Sequence, residues 1–461
     1  MNSLEVDLAR IVGTGSLRLG EDQEPYTHDS TELEGLRGSP DAVVVPPNLE
    51  AAAEVVAWCY RRGIAIVPRG GGTGFSGGAV PVGGGVVCSL EAISSVRSFA
   101  PEYWRAHVDA GITTGRVHQL ARDHGLFYPP DPGASEQSQI GGNIACNAGG
   151  PHSFKYGVTR AWVTGLEAVI AEGEIVAFGG PVRKDAAGYD MVGLLVGSEG
   201  TLGLITGAWL RFIPAPEKET TIVAGYRDME TGVAAIMRLM QSGVVPATIE
   251  YFDSGCIAAT RASFPGGLAD DIGFLILTEL DGFESEVDRA VSEVIKALQD
   301  DALEVREAKA RSNRAALLRW RNGVSFAVSA QRGGKMSEDV AVPLDRLAES
   351  IEETISLGLR HGVPSCSWGH AGDGNLHATF MIDKTSDADL KAAASAAADL
   401  FSFVARVGGT LSGEHGLGWT KRGQFARHFS PEAVRLQMGI KKVFDPRGLF
   451  NPGKKIGVVA D

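Results

Sequence analysis

Pro68-Arg69-Gly70-Gly71-Gly72-Thr73-Gly74-Phe75-Ser76-Gly77-Gly78 comes directly after the apolar run Ile64-Ala65-Ile66-Val67. The run reads as a buried strand, and the eleven residues after it hold six glycines. Glycines packed this densely let a backbone approach a ligand closely and aim successive N–H groups at one anion. A phosphate-bearing cofactor is the first expectation. Gly72-x-Gly74-x-x-Gly77 also matches the dinucleotide fingerprint, but that fingerprint requires a helix immediately afterwards to receive the pyrophosphate. The next residues, Gly77-Gly78-Ala79-Val80-Pro81-Val82-Gly83-Gly84-Gly85, cannot hold one. Glu91 stands near the distance expected of a ribose-binding acid, yet no helix fills the gap, so the Rossmann reading fails on context.

A second small-residue segment runs through Pro130-Asp131-Pro132-Gly133, Ile140-Gly141-Gly142-Asn143-Ile144-Ala145-Cys146-Asn147-Ala148-Gly149-Gly150 and Lys155-Tyr156-Gly157. A third is Gly197-Ser198-Glu199-Gly200-Thr201-Leu202-Gly203-Leu204-Ile205-Thr206. Segments of this kind, interleaved with Asn and Ser donors, suit a long cofactor threaded between them. At these residues the chain resembles the FAD-binding half of the vanillyl-alcohol-oxidase-like flavoproteins. Nearly the whole chain is covered, and the nearest relatives by pattern look like glycolate oxidase catalytic subunits, D-lactate dehydrogenases and D-2-hydroxyglutarate dehydrogenases. The resemblance implies FAD contacts from Pro68, Arg69, Gly70, Gly71, Gly72, Thr73, Gly74, Ser76 and Gly77. It adds Pro132, Ile140, Gly141, Gly142, Asn147, Gly149, Gly150, Tyr156 and Gly157, then Glu199, Ile205 and Asn451. Relatives that bind FAD covalently use a His or Cys near the glycine loop. Arg69 to Gly78 contains neither, so non-covalent FAD is expected.

The chain of 461 residues is long enough for two or three domains. Its net charge of −13, from 43 basic and 56 acidic residues, argues against nucleic acid and against an electrostatic membrane anchor. The five cysteines, Cys59, Cys88, Cys146, Cys256 and Cys366, are scattered without a Cys-x-x-Cys pair, which fits a reducing compartment. Met1-Asn2-Ser3-Leu4-Glu5-Val6-Asp7 is too polar for a secretory signal, and no apolar stretch reaches bilayer-spanning length. A cytoplasmic location without an integral membrane segment is expected, with a homodimer left open.

Ala42 to Val45, Asn48 to Arg62 and Ile64 to Val67 read as a βαβ unit ending in the glycine loop. Leu166 to Ala171 and Glu174 to Phe178 read as a hairpin, and Pro214-Ala215-Pro216 is the clearest linker. Beyond it, strands at 220–224, 248–252, 273–280 and 339–342 alternate with helices at 228–241, 284–299, 308–329, 344–360 and 388–407. The fold class is therefore α+β. The resemblance implies a two-part FAD-binding domain of the vanillyl-alcohol-oxidase type over 1–215. An α+β cap, or substrate, domain spans 216–410, with an antiparallel sheet and helices over one face. By resemblance, residues 411–461, with Phe444-Asp445-Pro446-Arg447-Gly448-Leu449-Phe450-Asn451-Pro452-Gly453-Lys454, return to the FAD domain.

The cap carries Gly369-His370-Ala371-Gly372-Asp373-Gly374-Asn375-Leu376-His377. Histidines spaced this way would sit about 10 Å apart on a helix and face opposite sides of a strand. The Gly372-Asp373-Gly374 turn lets both imidazoles converge. Leu411-Ser412-Gly413-Glu414-His415-Gly416 supplies a carboxylate beside a third histidine. Two His and one Glu form a ligand set suited to zinc with positions open for substrate. By resemblance, His370, His377 and Glu414 hold a divalent metal, Zn²⁺ or alternatively Mn²⁺ or Fe²⁺. His415 takes the substrate hydroxyl proton, Asn375 helps hold the substrate, Arg321 and Lys335 pair with its carboxylate groups, and Ser325 is a further candidate substrate-binding residue. The implied activity is oxidation of a D-2-hydroxy acid to the 2-oxo acid, with hydride passing to flavin N5 and electrons leaving to a quinone, cytochrome or electron-transfer flavoprotein. The rivals are a non-catalytic FAD-binding subunit of a glycolate oxidase complex and a non-redox flavin-dependent synthase.

Overall fold

The computed structural model describes residues 3–31 and 35–457; Met1 and Asn2 of the amino-terminal reading lie outside them. Two compact units emerge, one formed by Met1–Gly150, Val158–Ala215 and Glu414–Asp461, the other by Pro151–Gly157 and Pro216–Gly413.

The first unit contains strands β1 (Leu17–Arg18), β2 (Ala42–Val44), β3 (Ile66–Arg69) and β4 (Val86–Ser89) in the order β1-β2-β4-β3. The helix Leu49–Arg62 joins β2 to β3. Asn48 caps it by accepting the Ala51 amide at 2.9 Å, and Ala52, Val55, Val56 and Cys59 form its buried side. The βαβ unit differs from expectation in one respect: β2 and β3 do not pair. Strand β4 lies between them, parallel to both. It is four residues long and buried throughout, so no alternation marked it.

A second, antiparallel sheet of this unit has the order β5-β6-β10-β8-β9. Its strands are β5 (Val96–Ala100), β6 (Arg105–Asp109), β8 (Val163–Val169), β9 (Ile175–Gly179) and β10 (Leu204–Arg211); β8 and β9 are the expected hairpin. Strands β7 (Leu126–Phe127) and β11 (Ile213–Pro214) form a short separate pair.

The second unit is built on one antiparallel sheet, β15-β12-β14-β13-β17-β18-β16. Its strands are β12 (Lys218–Tyr226), β13 (Thr248–Phe252), β14 (Phe274–Gly282), β15 (Glu304–Glu307), β16 (Gly334–Ala341), β17 (Ser365–His370) and β18 (Asn375–Ile382). Helices cover both faces, not one. Tyr251 stacks with Phe274, against which Gly232 of the helix Met229–Gln241 packs, on one side. Phe252 meets Trp320 of the helix Arg311–Ala330 on the other, with ring centroids 4.8 Å apart. Successive side chains of a strand point to opposite faces, so a strand buried along its length, as β13 and β18 are, needs cover on both. The segment Pro151–Gly157, read from sequence with the FAD half, clusters with this second unit. Lys155 Nζ donates to the Asp281 carbonyl at 2.7 Å and the Tyr156 hydroxyl to Asp281 Oδ2 at 2.7 Å. No described helix is long and apolar enough to cross a membrane.

Candidate functional site

In the first unit the glycine loop leaves β3 and lies against the second glycine segment. A Cβ on Gly70 would come within 3.3 Å of Gly142 Cα, and one on Gly71 would overlap the Gln137 carbonyl oxygen. Only glycine permits this approach. Among the described residues, the amides of Gly71 to Ser76 donate to no protein acceptor. Gln139 Oε1 and Ser198 Oγ are buried polar atoms without a protein partner. A row of free donors beside orphaned polar atoms fits an anionic cofactor with a polar ring system.

Arg69 serves the loop itself. Its guanidinium donates to the carbonyls of His28 at 2.8 Å and Pro25 at 2.7 Å, and burial lowers its pKa. Asn147 caps its helix in the left-handed region at φ 52°, and its Oδ1 accepts the Arg160 amide. Gly150 crowds Asp131 beside Pro132, and Ile205 is buried in β10. Glu199 is engaged more fully than the sequence suggested. Its carboxylate accepts the amides of Leu417 and Gly418 and the Lys455 ammonium at 2.9 Å. Asn451 donates to the carbonyls of Gly78 and Glu199, and Lys454 to those of Gly78 and Val80. Burial pushes the Lys454 ammonium down to about 7. These bonds fasten the carboxyl-terminal segment to the glycine loop. They also bring in His415, whose ring stacks on Phe75 with centroids 4.8 Å apart while its carbonyl accepts from Ser76 Oγ at 3.0 Å.

In the second unit the β17–β18 hairpin turns through Ala371–Asp373, with Gly374 at φ 72°. A Cβ on Gly374 would overlap the Val342 carbonyl oxygen. Strand register then decides which side chains meet. Glu250 pairs with His370, Trp368 with both Phe252 and His377, Asp339 with His377 and Lys335 with Met381. Even-spaced residues share a face, so Glu250, His370, His377, Asp339, Trp368 and Lys335 all point to the face covered by the helix Arg311–Ala330. The two imidazoles stand edge to face with centroids 5.5 Å apart.

That helix contributes Arg321 and Ser325. Arg321 Nε donates to Glu250 Oε2 at 2.8 Å, and Glu250 Oε1 bonds His370 Nδ1. Burial would raise the Glu250 carboxyl, but the charges of Arg321 and His370 outweigh it and hold the group down at about 2. Arg321 Nη1 donates to Asn322 Oδ1 at 3.3 Å. Lys335 Nζ donates to Ser325 Oγ at 2.5 Å and lies 5.0 Å from the Trp368 ring centroid. Asn375 donates to Asp339 Oδ1 at 2.6 Å and the Val340 carbonyl, while its own Oδ1 is buried without a protein partner. A carboxylate on Nδ1 of His370 leaves Nε2 as its ligating nitrogen. A pair of converging imidazoles with that support fits a divalent cation of the zinc type. Glu414 follows Gly413 by one peptide bond, and the division between the units falls at that bond. Gly413 is packed against Asn375 and Asp339.

Glu250, Asp339 and Trp368 were not singled out from sequence. Glu250 lies far from the glycine-flanked histidines in sequence, and only strand register joins it to His370. Its one signal was an acid inside the apolar run of β13.

Residues 40–179 match the model of the FAD binding domain family, and residues 215–455 that of the C-terminal domain of FAD linked oxidases. The chain is 34% identical over 431 residues to the glycolate oxidase subunit GlcD of Bacillus subtilis, covering 93% of this chain and 91% of that one. It is 33% identical to the D-lactate dehydrogenase of Anaerostipes hadrus, covering 94% and 93%. The solved structure of p-cresol methylhydroxylase with substrate bound superposes with a TM-score of 0.80 at 16% identity, covering 99% of this chain and 98% of that one; this likeness concerns the fold, which is of the vanillyl-alcohol-oxidase type. The chain belongs to the FAD-linked oxidases and is an FAD-linked oxidoreductase of the kind that includes these glycolate oxidase subunits and D-lactate dehydrogenases.

Proposed function

We propose that the protein oxidises a D-2-hydroxy acid, such as D-lactate or D-2-hydroxyglutarate, or the achiral glycolate, to the 2-oxo acid. Its FAD would be held without a covalent bond, and the protein would also hold a divalent metal. The observation that carries this reading is the His415 ring stacked on Phe75 of the glycine loop. A base that removes a hydroxyl proton during hydride transfer must stand beside the flavin, and His415 meets that loop through both its ring and its carbonyl.

When bound, the metal would acidify the substrate hydroxyl and FAD would accept the hydride from Cα. His370 and His377 are the imidazole ligands, with Glu414 as the carboxylate ligand, and Glu250 keeps His370 Nδ1 protonated so that Nε2 faces the ion. Lys335, steadied by Ser325, and Arg321 bind carboxylate oxygens. Asn375 Oδ1 is an acceptor for a ligand donor. His415 receives the hydroxyl proton. The amides of Gly71 to Ser76 hold the FAD pyrophosphate. The reduced flavin would pass electrons to a quinone, cytochrome or electron-transfer flavoprotein. Five free cysteines accord with a cytoplasmic location.

A panel of D and L 2-hydroxy acids assayed with an artificial dye acceptor, before and after strong chelation, tests the reading. Activity confined to D isomers or glycolate, lost on chelation and restored by Zn²⁺ or Mn²⁺, is expected. Activity with no 2-hydroxy acid would overturn the substrate class. Full activity in metal-free protein would overturn the metal assignment. Acid precipitation should release FAD into the supernatant; flavin retained in the pellet would contradict non-covalent binding.

A further inference from the structure

A second concave site lies on the first unit, where the ends of β6, β8 and β10 meet the loop after β9. It encloses about 480 Å³ and is lined by Tyr103, Trp104, Arg105, Val182, Arg183 and Arg211, among others. The charge here is unusual for a chain of net −13. Arg211 and Arg105 are direct cross-strand partners in the β10–β6 ladder. Like charges placed directly opposite one another are destabilising.

Arg183 adds a third cation close enough to Arg211 that, after burial, its repulsion is a further cause of the lowered Arg211 pKa. Elsewhere in the same sheet Arg97 is neutralised by Asp109 and Glu167. Among the described residues, none of Arg105, Arg183 and Arg211 ion-pairs with a carboxylate. The protein instead orients them with carbonyls and rings. Arg105 donates to the Pro181 carbonyl at 2.9 Å and lies over Tyr103, Arg183 lies over Trp104, and Arg211 lies over Trp162.

Trp104 itself sits in the left-handed region, at φ 54° and ψ 48°. For a bulky residue this is a strained backbone state, of the kind that clusters at functional positions. Tyr103 remains 62% exposed at the mouth.

We propose that this cleft binds a ring-bearing phosphate of the nucleotide class. Guanidinium forks match phosphate oxygens, the exposed aromatic residues offer a surface for a planar ring, and the volume lies in the range of small-molecule sites. The site is separate from the flavin segment. Arg211 ends the strand that Leu204 begins, about 20 Å away at the usual rise. The inference does not depend on the proposed substrate or metal.

The test is calorimetric titration of the flavin-loaded protein with ADP and, separately, with inorganic pyrophosphate, with the flavin spectrum recorded throughout. Saturable ADP binding with a Kd below about 1 mM is expected, with an unchanged flavin spectrum and pyrophosphate at least about tenfold weaker. Arg183→Ala, at an exposed position, and Arg211→Ala should each weaken ADP by about tenfold or more while keeping the parental Tm and dye-coupled activity. No saturable binding of ADP, or binding unchanged in Arg183→Ala, would overturn the site. Pyrophosphate binding as tightly as ADP would overturn the ring-bearing class.

Discussion

The glycine loop of the first unit and the helix-covered sheet face of the second are built by opposite means. The loop presents backbone: its glycines remove side chains so that amides stay free and two chain segments touch. The sheet face presents side chains: Glu250, Trp368, His370, His377, Asp339 and Lys335 come from four strands, and Arg321 and Ser325 from the helix above. A backbone site is contiguous in sequence and suits a part common to many ligands, such as a phosphate. A side-chain site draws on long-range register and can be retuned one residue at a time. Losing a loop residue should therefore cost cofactor, whereas losing a face residue should cost metal, substrate or turnover with the cofactor still in place.

His415 stands at the loop but is assigned chemistry, so its removal separates the two cases most sharply. His415→Ala should keep FAD yet lower the rate of flavin reduction by roughly 10²–10⁴-fold, the usual span for a general base. Stopped-flow absorbance reads this directly, and a parental rate would remove His415 from the reaction. Gly71→Ala sets a Cβ against the Gln137 carbonyl. An overpacking cost of about 1–3 kcal/mol corresponds to a roughly 10–100-fold loss of flavin affinity, measured by reconstitution of the apoprotein. Unchanged occupancy would show that the two segments need not touch.

On the face, Glu250→Gln should retain flavin but weaken metal binding by about 10–100-fold, read by metal analysis after competition with a chelator, and Glu250→Asp should recover part of the loss. Equal metal retention in all three proteins would leave Glu250 a purely structural ion pair. Lys454 should have the smallest effect on turnover and a distinctive effect on stability. Its ammonium is depressed from 10.5 to about 7, so between these values the unfolded chain binds more protons and the wild type gains stability as pH rises. The gain is complete above about 10.5 and is lost as pH falls towards 7. Denaturation midpoints of the wild type and Lys454→Met should diverge in that window; a constant difference across pH 6.5 to 9.5 would contradict the depressed pKa.

The same contrast explains how much could be read from the chain. The glycine segments, the β8–β9 hairpin and strand β13 announce themselves locally, through composition, turn residues and apolar runs. His370 and His377 were legible because the Gly372-Asp373-Gly374 turn that joins them is itself local. Glu250 and Trp368 were not: each is one position in a buried strand, and its neighbours across the sheet are set by a register that no short window contains. Strand β4 was missed for a related reason, since burial on both faces erases the alternation that marks a strand. The cover on both faces of the second sheet follows from the same uniform burial, and Tyr156 was assigned to the first half because its bond to Asp281 spans 125 positions.

Anaerobic mixing of the flavin-loaded, metal-replete protein with a D-2-hydroxy acid and, separately, with its L isomer tests the central claim most directly. Bleaching of the flavin absorbance by the D isomer within one turnover, with release of the matching 2-oxo acid and no bleaching by the L isomer, is the predicted result. A flavin that stays oxidised with every 2-hydroxy acid, or that is reduced equally by both isomers, would contradict it.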